Sequence, residues 1–188
     1  MGSYNTKYDY LNIEGRKIVL VTGHRRESFG DGFEQICQAL LRIAEYHDDK
    51  LIVYPVHLNP NVKKIVCKSL QEIDNIKLIS PVPYDEMIYL MQLSWIILTD
   101  SGGIQEEAPS LKIPTIVMRH TTERQEGIDA GCCVLGGVNA ESIYAEFEKL
   151  ASSPDLYQRM ADVKNPYGDG KASARIVNFL ESQLAIEK

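Results

Sequence analysis

A chain of 188 residues, 44% hydrophobic and 24% charged, has the make-up of one soluble globular domain with extensions. Twenty Lys and Arg against 26 Asp and Glu give a formal charge of −6, and no basic stripe interleaves with aromatics, which argues against a nucleic-acid partner. No apolar run approaches the roughly 18 residues of a membrane span, and four cysteines without framework or finger spacing predict a reduced, cytoplasmic protein with no metal site.

Residues 1–16 have no period. Met1-Gly2-Ser3 reads as a cloning remnant, the rest as a linker from an upstream segment, and nothing there resembles a signal peptide. The run KIVLVT, 17–22, predicts a strand, followed by the glycine-bounded loop GHRRESFGDG. A helix is expected from Asp31, with Glu34 as its capping-box partner and Phe33, Ile36, Cys37, Leu40, Leu41 and Ala44 on its apolar face. A second strand, 51–55, leads through His57-Leu58-Asn59-Pro60 to a helix capped by Asn61. Residues 76–79 form a third strand and 84–93 a short helix.

The next stretch, SWIILTDSGGIQEEAPSL, organises the chain. An apolar run, 95–98, reads as a strand buried on both faces, stops at Thr99-Asp100-Ser101, passes Gly102-Gly103 and turns helical. Such a turn offers backbone N–H groups and a positive helix end to an anion, and its glycines permit close approach. An ordinary serine-capped turn satisfies the same pattern. Beyond it lie a fifth strand, 115–118, the polar loop RHTTERQEG and a short sixth strand, 132–135. Helices are expected at 142–150, 155–161 and 172–184, the last two broken by Asn165-Pro166-Tyr167-Gly168-Asp169-Gly170.

Strands alternating with helices predict an α/β fold: a doubly wound, mostly parallel, Rossmann-like sheet spanning 17–188. Ligands of such sheets bind beyond the carboxyl ends of the strands, and the loops there carry His24, Arg25, Arg26, His57, Asp100, Ser101, Arg119, His120, Glu123 and Arg124. Arginines facing a glycine turn suit phosphates, and Glu107 further along that helix suits ribose hydroxyls, so a nucleotide fits the pattern. Neither GxGxxG before the first helix nor GxxxxGK[ST] is present. Plainer readings stand beside these. His24 serves equally as a structural histidine, Arg25 and Arg26 as a solvated pair, and Glu123 with Arg124 as a surface ion pair. His57 reads better as loop-structuring than catalytic, while Glu106 and His47 read as solvated.

Five stretches, VTGHRRESFGDGFEQICQAL, IVYPVHLNPNV, LTDSGGIQEEAPSL, PTIVMRHTTERQEG and NPYGDGKAS, occur in that order. Together they resemble the C-terminal half of bacterial non-hydrolysing UDP-N-acetylglucosamine 2-epimerases, over nearly all of 17–184. The resemblance implies a GT-B arrangement of two Rossmann-like domains with the active site between them. It implies an isomerase interconverting UDP-GlcNAc and UDP-ManNAc by UDP elimination and re-addition through 2-acetamidoglucal, in polysaccharide biosynthesis, with no cofactor.

By the same resemblance, His24 is catalytic and near the diphosphate, and Ser101 and Gly102 form the phosphate turn. Glu107 binds ribose, Arg124 binds phosphate and Met87 lies beside the uracil, where some members carry an aromatic. Arg25 and His57 match positions that contact an activating second UDP-GlcNAc. Gln125 stands where the family commonly has proline, which removes a fixed φ beside Arg124. The family's catalytic carboxylates belong to its N-terminal domain. The expected partners are therefore UDP and UDP-N-acetylhexosamine, that N-terminal domain, against which helix 171–186 would pack, and a second copy in a full-length homodimer. The chain alone is expected to be inactive. Competing readings are the UDP-sugar-binding half of a GT-B glycosyltransferase and a non-catalytic UDP-sugar sensor.

Overall fold

Six apolar runs become six strands because each is short, rich in branched residues and ended by glycine, proline or a polar turn. The computed structural model describes residues 15–25 and 30–186; Arg26 and positions 1–14 of the expected linker lie outside them. The strands are β1 (Lys17–Thr22), β2 (Lys50–Pro55), β3 (Ile76–Ile79), β4 (Ser94–Thr99), β5 (Thr115–Val117) and β6 (Cys133–Leu135). They form one sheet in the order β3-β2-β1-β4-β5-β6, and every pairing is parallel. The expected mostly parallel sheet is thus wholly parallel across these strands.

Helices cover both faces, as a parallel sheet requires. On one side α1 (Asp31–Tyr46), α2 (Pro60–Leu70), α6 (Ala140–Ser152) and α7 (Pro154–Ala161) bury Phe33, Leu40, Val66 and Phe147 against Val19, Ile52 and Leu98. On the other, α3 (Tyr84–Leu93), α4 (Gly102–Glu107) and the 3-10 turn Ala108–Leu111 bury Leu90, Met91, Ile104 and Ala108 against Leu20, Val53 and Ile97. Alternate residues of one strand thus serve the two faces, which explains the unbroken apolar run in β4. Short α5 (Gln125–Ala130) precedes β6, and α8 (Ala172–Ile186) closes the described chain. Apolar side chains of α8 stay uncovered among the described residues: Ile176, Phe179 and Leu184 are each about 60% exposed.

Several local expectations need correction. Helix α1 starts at Asp31, but no capping box forms: Gly30, at φ 79°, is the cap, and its carbonyl accepts the N–H groups of Phe33 and Glu34. A left-handed residue there suits glycine and offers no side chain for the reciprocal bond. Helix α2 is capped by Asn59, not Asn61; the Asn59 side chain accepts the Asn61 N–H at 3.0 Å, and Pro60 takes the first helical position. His47, expected to be solvated, is mostly buried against Phe147 and bonded to Glu148 at 2.8 Å.

The strand order reverses between β1 and β4, the topological switch point where parallel sheets open a crevice. Thr22 pairs with Thr99 at the carboxyl end of that junction, their buried hydroxyls 2.5 Å apart. Both loops that the sequence marks as functional, the one after Thr22 and the one after Thr99, therefore leave the sheet side by side.

Candidate functional site

Asp100 is the first residue past β4 and is fully buried. Its Oδ2 accepts the backbone N–H groups of His24 and Arg25, each at 2.8 Å, and its carbonyl accepts Arg25 Nε at 2.9 Å. His24 Nδ1 lies 3.3 Å from Asp100 Oδ1. Burial pushes the Asp100 carboxyl up, but the His24 side chain and the two backbone N–H groups more than offset it and leave it below its ordinary value. The same contact holds the His24 imidazole above its ordinary value, against some loss from burial.

A cavity of about 210 Å³ opens beside this junction, and His24, His57, Met87 and Ser101 all line it. His57 stacks on His24 with ring centres 5.6 Å apart, and its Nδ1 accepts the Asn59 N–H at 3.2 Å. The loop-structuring role expected of His57 is present, and the same ring forms one wall of the cavity. Ser101 occupies the N-cap position of α4 without a side-chain capping bond, so its hydroxyl is uncommitted to the helix. Its own N–H donates to Thr99 Oγ1 at 3.0 Å.

Next to that mouth, the Arg124 guanidinium lies against Gly102. A Cβ on Gly102 would sit 3.3 Å from Arg124 Nη2 and 3.4 Å from its Cζ, so the bare backbone is what permits the approach. Arg124 Nε donates to Glu106. Glu106 is therefore not merely solvated, and Arg124 does not pair with Glu123 as the sequence allowed. Glu123 instead takes two bonds from buried Arg119, at 2.6 and 3.0 Å, which hold its carboxyl down at about 2, and lies 3.5 Å from Arg25. Glu107 accepts the Tyr84 hydroxyl at 3.0 Å, toward the far end of the helix from Ser101. His24, Ser101, Gly102 and Arg124 thus gather at the amino end of α4, Met87 and His57 flank them, Arg25 sits on the Asp100 side, and Glu107 stands off by a helix length.

Sequence reasoning gave no role to the residues that hold these groups. In the sequence Asp100 stands out only as one of the polar residues on the rim. Buried Gln105 ties the turn to the arginine loop, donating to the Ser101 carbonyl at 3.1 Å and accepting the Thr122 hydroxyl at 2.7 Å. The break between the last two helices forms a clasp behind the site. Asn165 Nδ2 donates to the Glu106 carbonyl at 3.0 Å, while the Tyr167 hydroxyl accepts the Gly127 N–H at 2.9 Å and donates to the Arg124 carbonyl at 3.0 Å. The available signal is the tyrosine inside a glycine-rich break; Asn165 alone reads as turn chemistry, and its Oδ1 does accept the Tyr167 N–H at 2.8 Å. Among the described residues no three His, Cys, Asp or Glu side chains converge as a metal site, and no helix is long and apolar enough to cross a membrane.

Strand order, switch-point crevice and a basic rim at a helix start define the class: a Rossmann-like parallel α/β domain of the type paired in GT-B proteins. Residues 3–181 match the family model described as UDP-N-acetylglucosamine 2-epimerase, and the chain belongs to that family. The UDP-N-acetylglucosamine 2-epimerase of Campylobacter jejuni is 54% identical over 172 residues, covering 92% of this chain and 45% of that protein. A Neisseria meningitidis UDP-GlcNAc 2-epimerase solved with UDP-GlcNAc superposes with a TM-score of 0.90 at 40% identity, over 97% of this chain and 50% of that one. S. aureus MnaA solved with UDP gives 0.89 at 40% identity, over 98% of this chain and 49% of that one. The chain spans about half the length of the relatives it matches.

Proposed function

We propose that this chain is the nucleotide-holding half of an isomerase that interconverts UDP-GlcNAc and UDP-ManNAc. The observation that carries the reading is the Arg124 guanidinium resting on Gly102 at the start of α4, with Ser101 and His24 at the same mouth. Arg124, the Ser101 hydroxyl and the N–H groups of Gly102 and Gly103 hold the diphosphate. Glu107, once it exchanges Tyr84 for sugar hydroxyls, holds the ribose, and Met87 lies beside the uracil.

In the forward direction the C2 proton and the UDP leaving group depart, giving 2-acetamidoglucal and UDP. Reprotonation at C2 from the opposite face and return of UDP to C1 complete the exchange, with no net redox change and no cofactor. His24, raised toward its cationic form, stabilises charge building on the diphosphate as the C1–O bond breaks. The C2 acid and base come from the N-terminal half of the family's architecture, because proton transfer requires a group within hydrogen-bond reach. This polypeptide by itself therefore holds UDP without epimerising.

The uncovered apolar side of α8 packs on that other half. The complete protein works as a cytoplasmic homodimer in polysaccharide biosynthesis, and Arg25 and His57 contact a second, activating UDP-GlcNAc. The test joins this chain to the N-terminal half of the Campylobacter jejuni relative and follows C2-proton exchange from UDP-GlcNAc in deuterated water. Exchange in the joined protein and none in the chain alone supports the reading. Exchange by the chain alone sinks it, and sugar transfer to an acceptor without exchange would mark a glycosyltransferase.

A further inference from the structure

The buried carboxylate at the switch point does more than close a loop. Asp100 has no exposed surface, and its two oxygens have divided tasks. Oδ2 is saturated by the backbone N–H groups of His24 and Arg25, at 2.8 Å each. Oδ1 is buried, makes no hydrogen bond of standard geometry among the described residues, and faces His24 Nδ1 at 3.3 Å. A buried carboxylate oxygen is costly to leave unmatched, so a donor on Nδ1 is strongly favoured there. Asp100 is also joined directly to Ser101, so one residue fixes the imidazole and the start of the phosphate turn together.

We propose that Asp100 is a positioning residue, which holds neutral His24 as the Nδ1–H tautomer and aims Nε2 into the cavity shared with Ser101. The proposal rests on the reading of His24 as the group that meets the diphosphate. Donation from Nδ1 to a fixed carboxylate selects the tautomer and stabilises the imidazolium, as in any histidine backed by a buried acid. Three other groups among the described residues bear on His24. Arg25 in the same loop opposes its protonation, His57 from the loop after β2 stacks on its ring, and the Tyr54 hydroxyl of β2 is engaged with the Gly23 carbonyl at 3.3 Å. Among the described residues, Asp100 is thus the carboxylate that faces the ring.

Asp100→Asn separates aiming from loop closure. The asparagine carbonyl in the Oδ2 position still accepts both backbone N–H groups, and the opposite orientation would set an NH2 against two N–H donors. The amide therefore has one stable setting, with its NH2 toward His24 Nδ1. That reverses the demand on the ring: Nδ1 becomes the acceptor and the proton moves to Nε2. The experiment is nitrogen-15 NMR of the histidine rings in this chain, with His24 assigned through His24→Gln and a UDP titration at each pH.

In the unaltered chain neutral His24 is expected as Nδ1–H, with a midpoint above the ordinary imidazole value. In Asp100→Asn the tautomer inverts, the midpoint falls, and UDP affinity drops roughly tenfold, the worth of one charge-assisted hydrogen bond. The pH at which affinity is lost moves down with the midpoint, which a merely structural role would not produce. An unaltered tautomer and midpoint in the variant overturn the proposal, as does an inverted tautomer with UDP affinity within twofold. Should Asp100→Asn not fold, the unaltered chain still decides: an Nε2–H tautomer for His24 overturns the proposal and Nδ1–H upholds it. Failure of the unaltered chain to bind UDP counts against the nucleotide reading, and the tautomer data stand apart from it.

Discussion

Replacing Gly102 by alanine moves stability and binding in opposite directions. The residue opens α4, and its backbone is outside the left-handed region, so alanine fits the chain without strain. Gly→Ala at a compatible position stabilises by about 0.4–1 kcal/mol, largely by restricting the unfolded chain. For a domain of this size that raises Tm by about 1–4 °C. The new methyl meets Arg124 at 3.3 Å from Nη2 and 3.4 Å from Cζ, contacts tight enough to push the guanidinium away by a few tenths of an ångström. The shift also works against the Arg124–Glu106 pair, and the methyl itself occupies the space a phosphate oxygen would use beside the α4 N–H groups. Loss of one charge-assisted hydrogen bond costs about 1.5–3 kcal/mol, which is roughly 10- to 150-fold in affinity. Calorimetric titration with UDP and thermal unfolding without ligand read the two effects separately. A variant that melts no lower than the parent yet binds UDP at least tenfold more weakly fits the account. Unchanged affinity would refute the placement of the phosphate.

Tyr167→Phe removes two hydrogen bonds, to Gly127 and to the Arg124 carbonyl, each worth about 1 kcal/mol, so unfolding should occur at about 4–8 °C lower Tm. Asp100 shapes the acid limb of stability. Its carboxyl lies below the ordinary 3.8, so its contribution is complete above that pH and is lost as pH falls through the lower folded value. Melting between pH 6 and 2 should decline steeply in the parent over that lower window and more gently in Asp100→Asn; parallel curves would argue against it. The double change Phe179→Glu, Leu180→Lys on exposed positions of α8 should leave unfolding free energy within about 0.5 kcal/mol and abolish assembly with an added N-terminal half, measured by sedimentation.

How much of this was legible in the sequence differs by level. The parallel sheet was readable because β1, β2 and β4 are unbroken apolar runs separated by helical periods, a signal carried by each segment alone. The rim was readable for the same reason, since chain order puts every strand-to-helix loop at one end. Caps were harder. Asp31 and Glu34 have capping-box spacing, but the left-handed Gly30 set the entry angle and removed the side chain the box needs. Pairings across the site were not legible at all. Arg124 is next to Glu123 in sequence yet pairs with Glu106, 18 residues away, while Glu123 goes to Arg119. Which acid an arginine meets depends on where α4 and the arginine loop come to lie, and no local pattern encodes that. The clasp of Asn165 and Tyr167 is illegible in the sequence for the same reason, as its partners are 40 to 59 residues distant.

The central claim is that a diphosphate is held at the amino end of α4 by its N–H groups, Ser101 and Arg124. Titrating the chain with UDP while following backbone amide resonances tests it most directly. Saturable shifts led by Gly102, Gly103 and His24, at least tenfold weaker in Arg124→Ala, are the predicted result. Binding that leaves those amides unmoved, or that survives Arg124→Ala at full strength, would contradict it.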